Sequence, residues 1–117
     1  MKYLVLLYSD EQEWESATDA EREAVFAAHG AFDEAVRARA TMLGGEALAG
    51  TDTTTTLSPS NGGAPRTVTD GPYAESVEQL GGFYLVEASD LDQMIELSHA
   101  LPAGYTVEIR PVVEIDF

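Results

Sequence analysis

The stretch Gly82-Phe83-Tyr84-Leu85-Val86-Glu87-Ala88-Ser89-Asp90-Leu91-Asp92-Gln93-Met94-Ile95 changes its period midway. Residues 82–87 are a short apolar and aromatic run, the pattern of a strand. Ser89 then reads as a helix cap, with Asp92 at the third helical position. Leu91, Met94, Ile95 and Ser98 fall on one helical face, and Pro102 and Gly104 stop the helix. The chain opens with the same signals in the same order. Tyr3-Leu4-Val5 precedes Ser9-Asp10 as Tyr84-Leu85-Val86 precedes Ser89-Asp90, a weak repeat of a strand–helix unit. Residues 2–8 read as a buried strand and residues 9–17 as a polar connection holding Trp14. Thr18 with Glu21 forms a capping box. The helix it starts carries Val25, Ala28, Phe32, Ala35 and Val36 as its apolar stripe, and Gly44-Gly45 is expected to end it.

The middle is less regular. Glu46-Ala47-Leu48-Ala49 suits a short strand. The β-branched Thr53-Thr54-Thr55-Thr56-Leu57 and Arg66-Thr67-Val68-Thr69 flank the turn-rich Ser58-Pro59-Ser60-Asn61-Gly62-Gly63, which predicts a hairpin. Pro72 breaks the second of these strands. Thr106-Val107-Glu108-Ile109-Arg110 alternates as a half-buried strand does, and Val112 to Ile115 is expected to extend it along an edge or onto a partner. The order predicts an α+β fold. It is a ferredoxin-like split βαβ plait with an antiparallel sheet and an extra β-hairpin, in one domain over residues 1–117. Helices on one side leave the other sheet face bare. Tyr84, Val86, Val107 and Ile109 are candidates to fill it, and a second copy of the chain is the expected cover.

The 117 residues carry 6 basic and 21 acidic side chains, a net charge of -15, which disfavours nucleic acid and anionic membranes as partners. The acidity reads as that of an ordinary soluble protein or as adaptation to high salt. With no cysteine there is neither a thiol nucleophile nor a disulfide. The apolar start is too short to span a bilayer and is followed by Ser9-Asp10-Glu11 rather than a cleavage site, so a cytoplasmic location is expected.

Few residues could carry chemistry. Asp70-Gly71-Pro72-Tyr73 is turn chemistry, with Asp70 accepting backbone N–H bonds, or it is a cleft rim where Asp70 acts as a general base or orients an imidazole. His29 lies on the edge of the first helix's apolar stripe, with Asp33 four residues on. It is either a packed structural histidine or an acid–base group. A carboxylate neighbour is expected to hold its pKa near or slightly above the reference of roughly 6.5. His99 reads as a structural group near a helix C-terminus. Gly81-Gly82 lacks phosphate-loop spacing and suits a close backbone approach. The carboxylates from Glu11 to Glu23 read as a solvated face. Two histidines without cysteine argue against a metal centre, and no cofactor is expected.

Val68-Thr69-Asp70-Gly71-Pro72-Tyr73-Ala74-Glu75 and Gln79-Leu80-Gly81-Gly82-Phe83-Tyr84 resemble the YCII-related family, in its DGPF-motif branch. The resemblance extends to the start of the chain, to Gly44-Gly45-Glu46-Ala47-Leu48 and to Val107-Glu108-Ile109-Arg110-Pro111. Tyr73 stands where Phe is usual, and Val77 where a basic residue is common. The family implies a dimeric ferredoxin-like α/β barrel, and a His–Asp pair in a cleft for members linked to small-molecule turnover. The branch implies association with alternative sigma factors. Two functions are consistent with all of this. One is a small-molecule-binding or interaction module, with ligand contacts at Asp70, Gly71, Pro72 and Tyr73. The other is a cofactor-independent enzyme using His29 and Asp70 as acid and base on a small organic substrate.

Overall fold

The computed structural model describes residues 1–116. Strand β1 (Lys2–Asp10) leads into the short helix α1 (Glu11–Glu15) and the long helix α2 (Asp19–Arg39). Strand β2 (Thr41–Ala47) follows, then a hairpin of β3 (Thr55–Leu57) and β4 (Val68–Asp70). Strand β5 (Glu78–Glu87), helix α3 (Leu91–Ser98) and strand β6 (Thr106–Pro111) complete the order. The main sheet runs β2-β5-β1-β6, and every pairing in it is antiparallel. The architecture is α+β and compatible with a ferredoxin-like plait, the β3–β4 hairpin forming a separate two-stranded sheet.

The capping box at Thr18 and Glu21 is formed in both directions, with distances of 3.0 and 3.1 Å. Helix α2 ends at Arg39, well before Gly44-Gly45, which lie inside β2. The glycines serve the sheet there: Gly45 sits opposite Tyr84, and β2 shifts register between Met42 and Gly44. Helix α3 is capped by Asp90 rather than Ser89, Asp90 accepting from the Gln93 N–H at 2.9 Å. Its inner face is Met94 and Leu97, continued by Leu101, while Leu91 and Ile95 are exposed. His99 forms the exposed C-cap of this helix. Residues 112–116 leave the sheet rather than extending the last strand, tethered by Val112 N–H donating to the Lys2 carbonyl at 2.9 Å.

The core lies between the helices and one sheet face. Tyr3, Val5 and Leu7 of β1 and Val86 of β5 pack against Phe32 and Val36 of α2 and Met94 and Leu97 of α3. Full burial of such a side chain stabilises the fold by about 1.5–3 kcal/mol. Tyr84, Val107 and Ile109 pack against this same cluster. The sequence expectation that Tyr84, Val86, Val107 and Ile109 form the bare face is therefore reversed. Tyr3 pairs with Val86 and Val5 with both Tyr84 and Ile109, and paired residues share a face. One residue of register separates the two assignments.

The opposite face carries Leu4, Leu6 and Tyr8 of β1 beside Leu85, Phe83 and Leu80 of β5, flanked by Glu108 and Arg110 of β6 and Glu46 of β2. No element among the described residues forms a third layer over it: the Cα envelope is 18 Å in its thinnest dimension. No helix among the described residues is long and apolar enough to cross a membrane.

Candidate functional site

His29 projects from the middle of α2 beside the buried Phe32 and is itself half-buried. Its two ring nitrogens are both engaged. Nδ1 shares a hydrogen bond with the Tyr84 hydroxyl at 2.7 Å, and Nε2 shares one with the Tyr105 hydroxyl at 3.0 Å. Tyr84 comes from β5 and Tyr105 from the turn entering β6, so three elements converge on one imidazole. The Tyr84 ring is held from its other side by Phe32, with centroids 4.8 Å apart.

Burial pushes the His29 pKa down. The upward shift expected from a carboxylate does not occur, because both ring nitrogens face phenols and Asp33 is turned to Arg37 at 3.0 Å. The Tyr84 phenol is pushed up by burial, and further by Asp33 and Tyr105; burial also raises Tyr105. The set at neutral pH is thus a neutral imidazole between two neutral phenols. A neutral imidazole has one donor and one acceptor nitrogen. One phenol must then donate to the ring while the other accepts from it. In either tautomer the accepting phenol keeps its own O–H for a ligand.

The array lines a cleft of about 890 Å³, which also contacts Trp14, Val25, Phe26, Leu48 and Pro102. Trp14 and Phe26 meet edge to face at 5.5 Å, joining α1 to α2. Arg22 fixes this wall, its guanidinium lying 5.1 Å from the Trp14 ring centroid and donating to the carbonyls of Trp14 and Glu15 at 3.0 Å. Two glycines, Gly45 and Gly82, allow the strands to crowd the cleft floor. Gly82 is buried, and a Cβ on it would lie 3.0 Å from the Glu46 carbonyl oxygen, the close approach expected from the sequence. Gly81 is the extra residue where β5 slips against β1.

The Asp70 turn is elsewhere. Asp70 ends β4 in the hairpin, is exposed, and lines neither this cleft nor the smaller hollow beside it. Its carboxylate accepts no hydrogen bond among the described residues, so it does not cap the turn. Backbone bonds hold the turn instead: Gly71 N–H donates to the Thr54 carbonyl, and the Thr56 hydroxyl donates to the Gly71 carbonyl, both at 2.7 Å. Gly71 has φ +105°, a conformation that requires glycine. Pro72 lines the smaller hollow with Thr51 and Gln79, and Tyr73 is 91% exposed. Within one protomer His29 and Asp70 do not share a cleft. No group of three metal-ligating side chains occurs among the described residues.

Sequence reading finds His29 and misses Tyr84, Tyr105, Trp14 and Phe26 as cleft residues. Tyr84 was within reach: had Val86 been assigned to the helix-covered face, alternation would have brought Tyr84 there with it.

The architecture and the His-centred cleft define a small α+β protein with a half-open cleft between helix and sheet. The chain belongs to the YCII-related domain family, whose sequence profile matches residues 1–116. It is also similar to an uncharacterized protein of Rhizobium meliloti (strain 1021), at 45% identity over 49 residues. That alignment takes in 38% of this chain and spans 40% of the relative's length.

Proposed function

We propose that this YCII-related chain is a small-molecule-binding protein. Its ligand is a compact organic molecule whose apolar body rests against Trp14 and Phe26 and whose polar group meets the Tyr84–His29–Tyr105 array. The observation that carries this reading is the double engagement of His29 at 2.7 and 3.0 Å on the floor of a largely apolar cleft. Ligand sites commonly combine apolar walls with a few convergent polar groups. The test is a metabolite screen by thermal shift on wild type and a Tyr84→Phe/Tyr105→Phe variant. A ligand that raises the wild-type Tm and loses this effect in a variant that still melts cooperatively supports the reading. Equal stabilisation of both proteins refutes it.

The working unit of this proposal is a homodimer, a dimeric α/β barrel. The strip of Leu4, Leu6, Tyr8, Leu80, Phe83 and Leu85 has an apolar centre and charged flanks, the make-up of a self-complementary interface. The exposed turn Asp70-Gly71-Pro72-Tyr73 would join a site only from a second copy, and ligand contact there is part of the proposal. On that motif we also assign the chain to the DGPF branch. In the regulatory setting implied by the sigma-factor association, occupancy of the cleft would be the signal.

A second reading is a cofactor-independent acid–base enzyme. Its support is that burial keeps His29 unprotonated near neutrality and links it to two ionisable hydroxyls. Turnover of any cleft ligand that survives in His29→Gln would remove His29 from the chemistry.

A further inference from the structure

We infer that the cleft selects an organic cation, a small protonated amine borne on an aromatic or aliphatic body. This narrows the binding reading above and rests on it. Asp10, Glu11, Glu13, Glu15 and Glu21 lie around the cleft, and no lysine or arginine lines it among the described residues. Three of these carboxylates have work inside the protein: Asp10 caps α1, Glu11 accepts from Thr51, and Glu21 completes the capping box. The Glu13 and Glu15 carboxylates accept no hydrogen bond among the described residues. The one guanidinium near the wall, that of Arg22, is committed to the Trp14 and Glu15 carbonyls. His29 is held between two phenols and offers an anion no positive charge.

A carboxylate or phosphate entering this space would lose water without gaining a counter-charge. An ammonium group would meet the opposite environment. Carboxylates at the rim raise its local concentration, and the rings of Trp14 and Phe26 attract a cation electrostatically. In whichever tautomer His29 adopts, the donating phenol keeps an oxygen lone pair to accept an N⁺–H. Apolar walls, aromatic faces, an acceptor and negative charge all favour the same chemistry.

Trp14 is the only tryptophan and contacts the cleft, so its fluorescence and indole N–H signal report occupancy directly. The probes are 2-phenylethylammonium, 2-phenylethanol and 3-phenylpropanoate, with methylammonium as a cation without a ring. The ammonium should bind about tenfold more tightly than the alcohol at low salt, the order of advantage a cation–π contact and nearby carboxylates supply. The propanoate should bind most weakly, and methylammonium should leave Trp14 unmoved. Glu13→Gln/Glu15→Gln should retain alcohol binding and lose most of the ammonium's advantage. Alcohol or propanoate binding as tightly as the ammonium, an undiminished advantage in the variant, or an equal response to methylammonium each overturns the cation selectivity and leaves the cleft reading standing. Silence from all probes on Trp14 overturns both.

Discussion

Gly45 and Tyr84 are cross-strand partners so close that a Cβ on Gly45 would lie 2.6 Å from Tyr84 Cδ1 and 2.8 Å from the Phe83 carbonyl oxygen. The missing side chain on β2 is the space that the Tyr84 ring occupies on its way to His29. Gly45→Ala is therefore expected to cost about 1–3 kcal/mol, as overpacking does. It should also move the His29 ring resonances, because Tyr84 must give way. Gly44→Ala is the control, since nothing lies within 4 Å of its added Cβ. Urea melts and imidazole NMR of the two variants check this, and matching spectra would contradict it.

Burial lowers the His29 pKa below its ordinary 6.5. The unfolded chain then takes up its proton first as pH falls. Stability from the unprotonated ring is present above 6.5 and is lost as pH drops from there through the folded value. Between about pH 7.5 and about pH 5.5, wild type should lose more stability than His29→Gln, the other titrating groups being common to both. Parallel losses would mean that the fold does not exclude the proton from this ring.

The DGP turn separates side-chain from backbone roles. Asp70→Ala and Asp70→Asn should both leave stability within about 0.5 kcal/mol of wild type, because the exposed carboxylate bonds nothing among the described residues. Gly71→Ala should destabilise the hairpin by about 1–3 kcal/mol through its φ of +105°. Amide exchange across Thr55–Leu57 and Val68–Asp70 reads the difference, and a tolerant Gly71→Ala would count against it.

Leu85 lies opposite Leu4 at the centre of the uncovered face and does not line the cleft. A stable interface there should bury more than about 1,200 Å² in total. Wild type should then run as a dimer by light scattering at micromolar concentration, and Leu85→Glu as a folded monomer. A monomeric wild type would exclude the dimer.

Much of the fold was legible because its signals are local. Thr18 and Glu21 announce a helix three residues apart, and the turn-rich segment between Leu57 and Arg66 announces a hairpin without help from the rest of the chain. The face of β5 was not legible. Its residues are apolar on both sides, Tyr84 and Val86 inward, Phe83 and Leu85 outward, so alternation carries no polarity to read. Gly44-Gly45 misled for a related reason: the sequence marks glycine without saying whether a helix stops there or a ring needs room. The site was least legible. The partners of His29 lie 55 and 76 positions away, and only the register of two strands brings them to it.

The two outer strands of the sheet invite little company. β2 slips register between Met42 and Gly44 and carries consecutive glycines, while β6 ends at Pro111, which has no N–H to offer. Irregular backbone, proline and charged positions such as Glu108 and Arg110 are the means by which exposed edges resist adding a foreign strand. A net charge of -15 adds repulsion between chains, so edge-to-edge pairing into fibrils is disfavoured. That leaves the apolar sheet face, rather than its hydrogen-bonding rims, as the surface the proposed dimer would use.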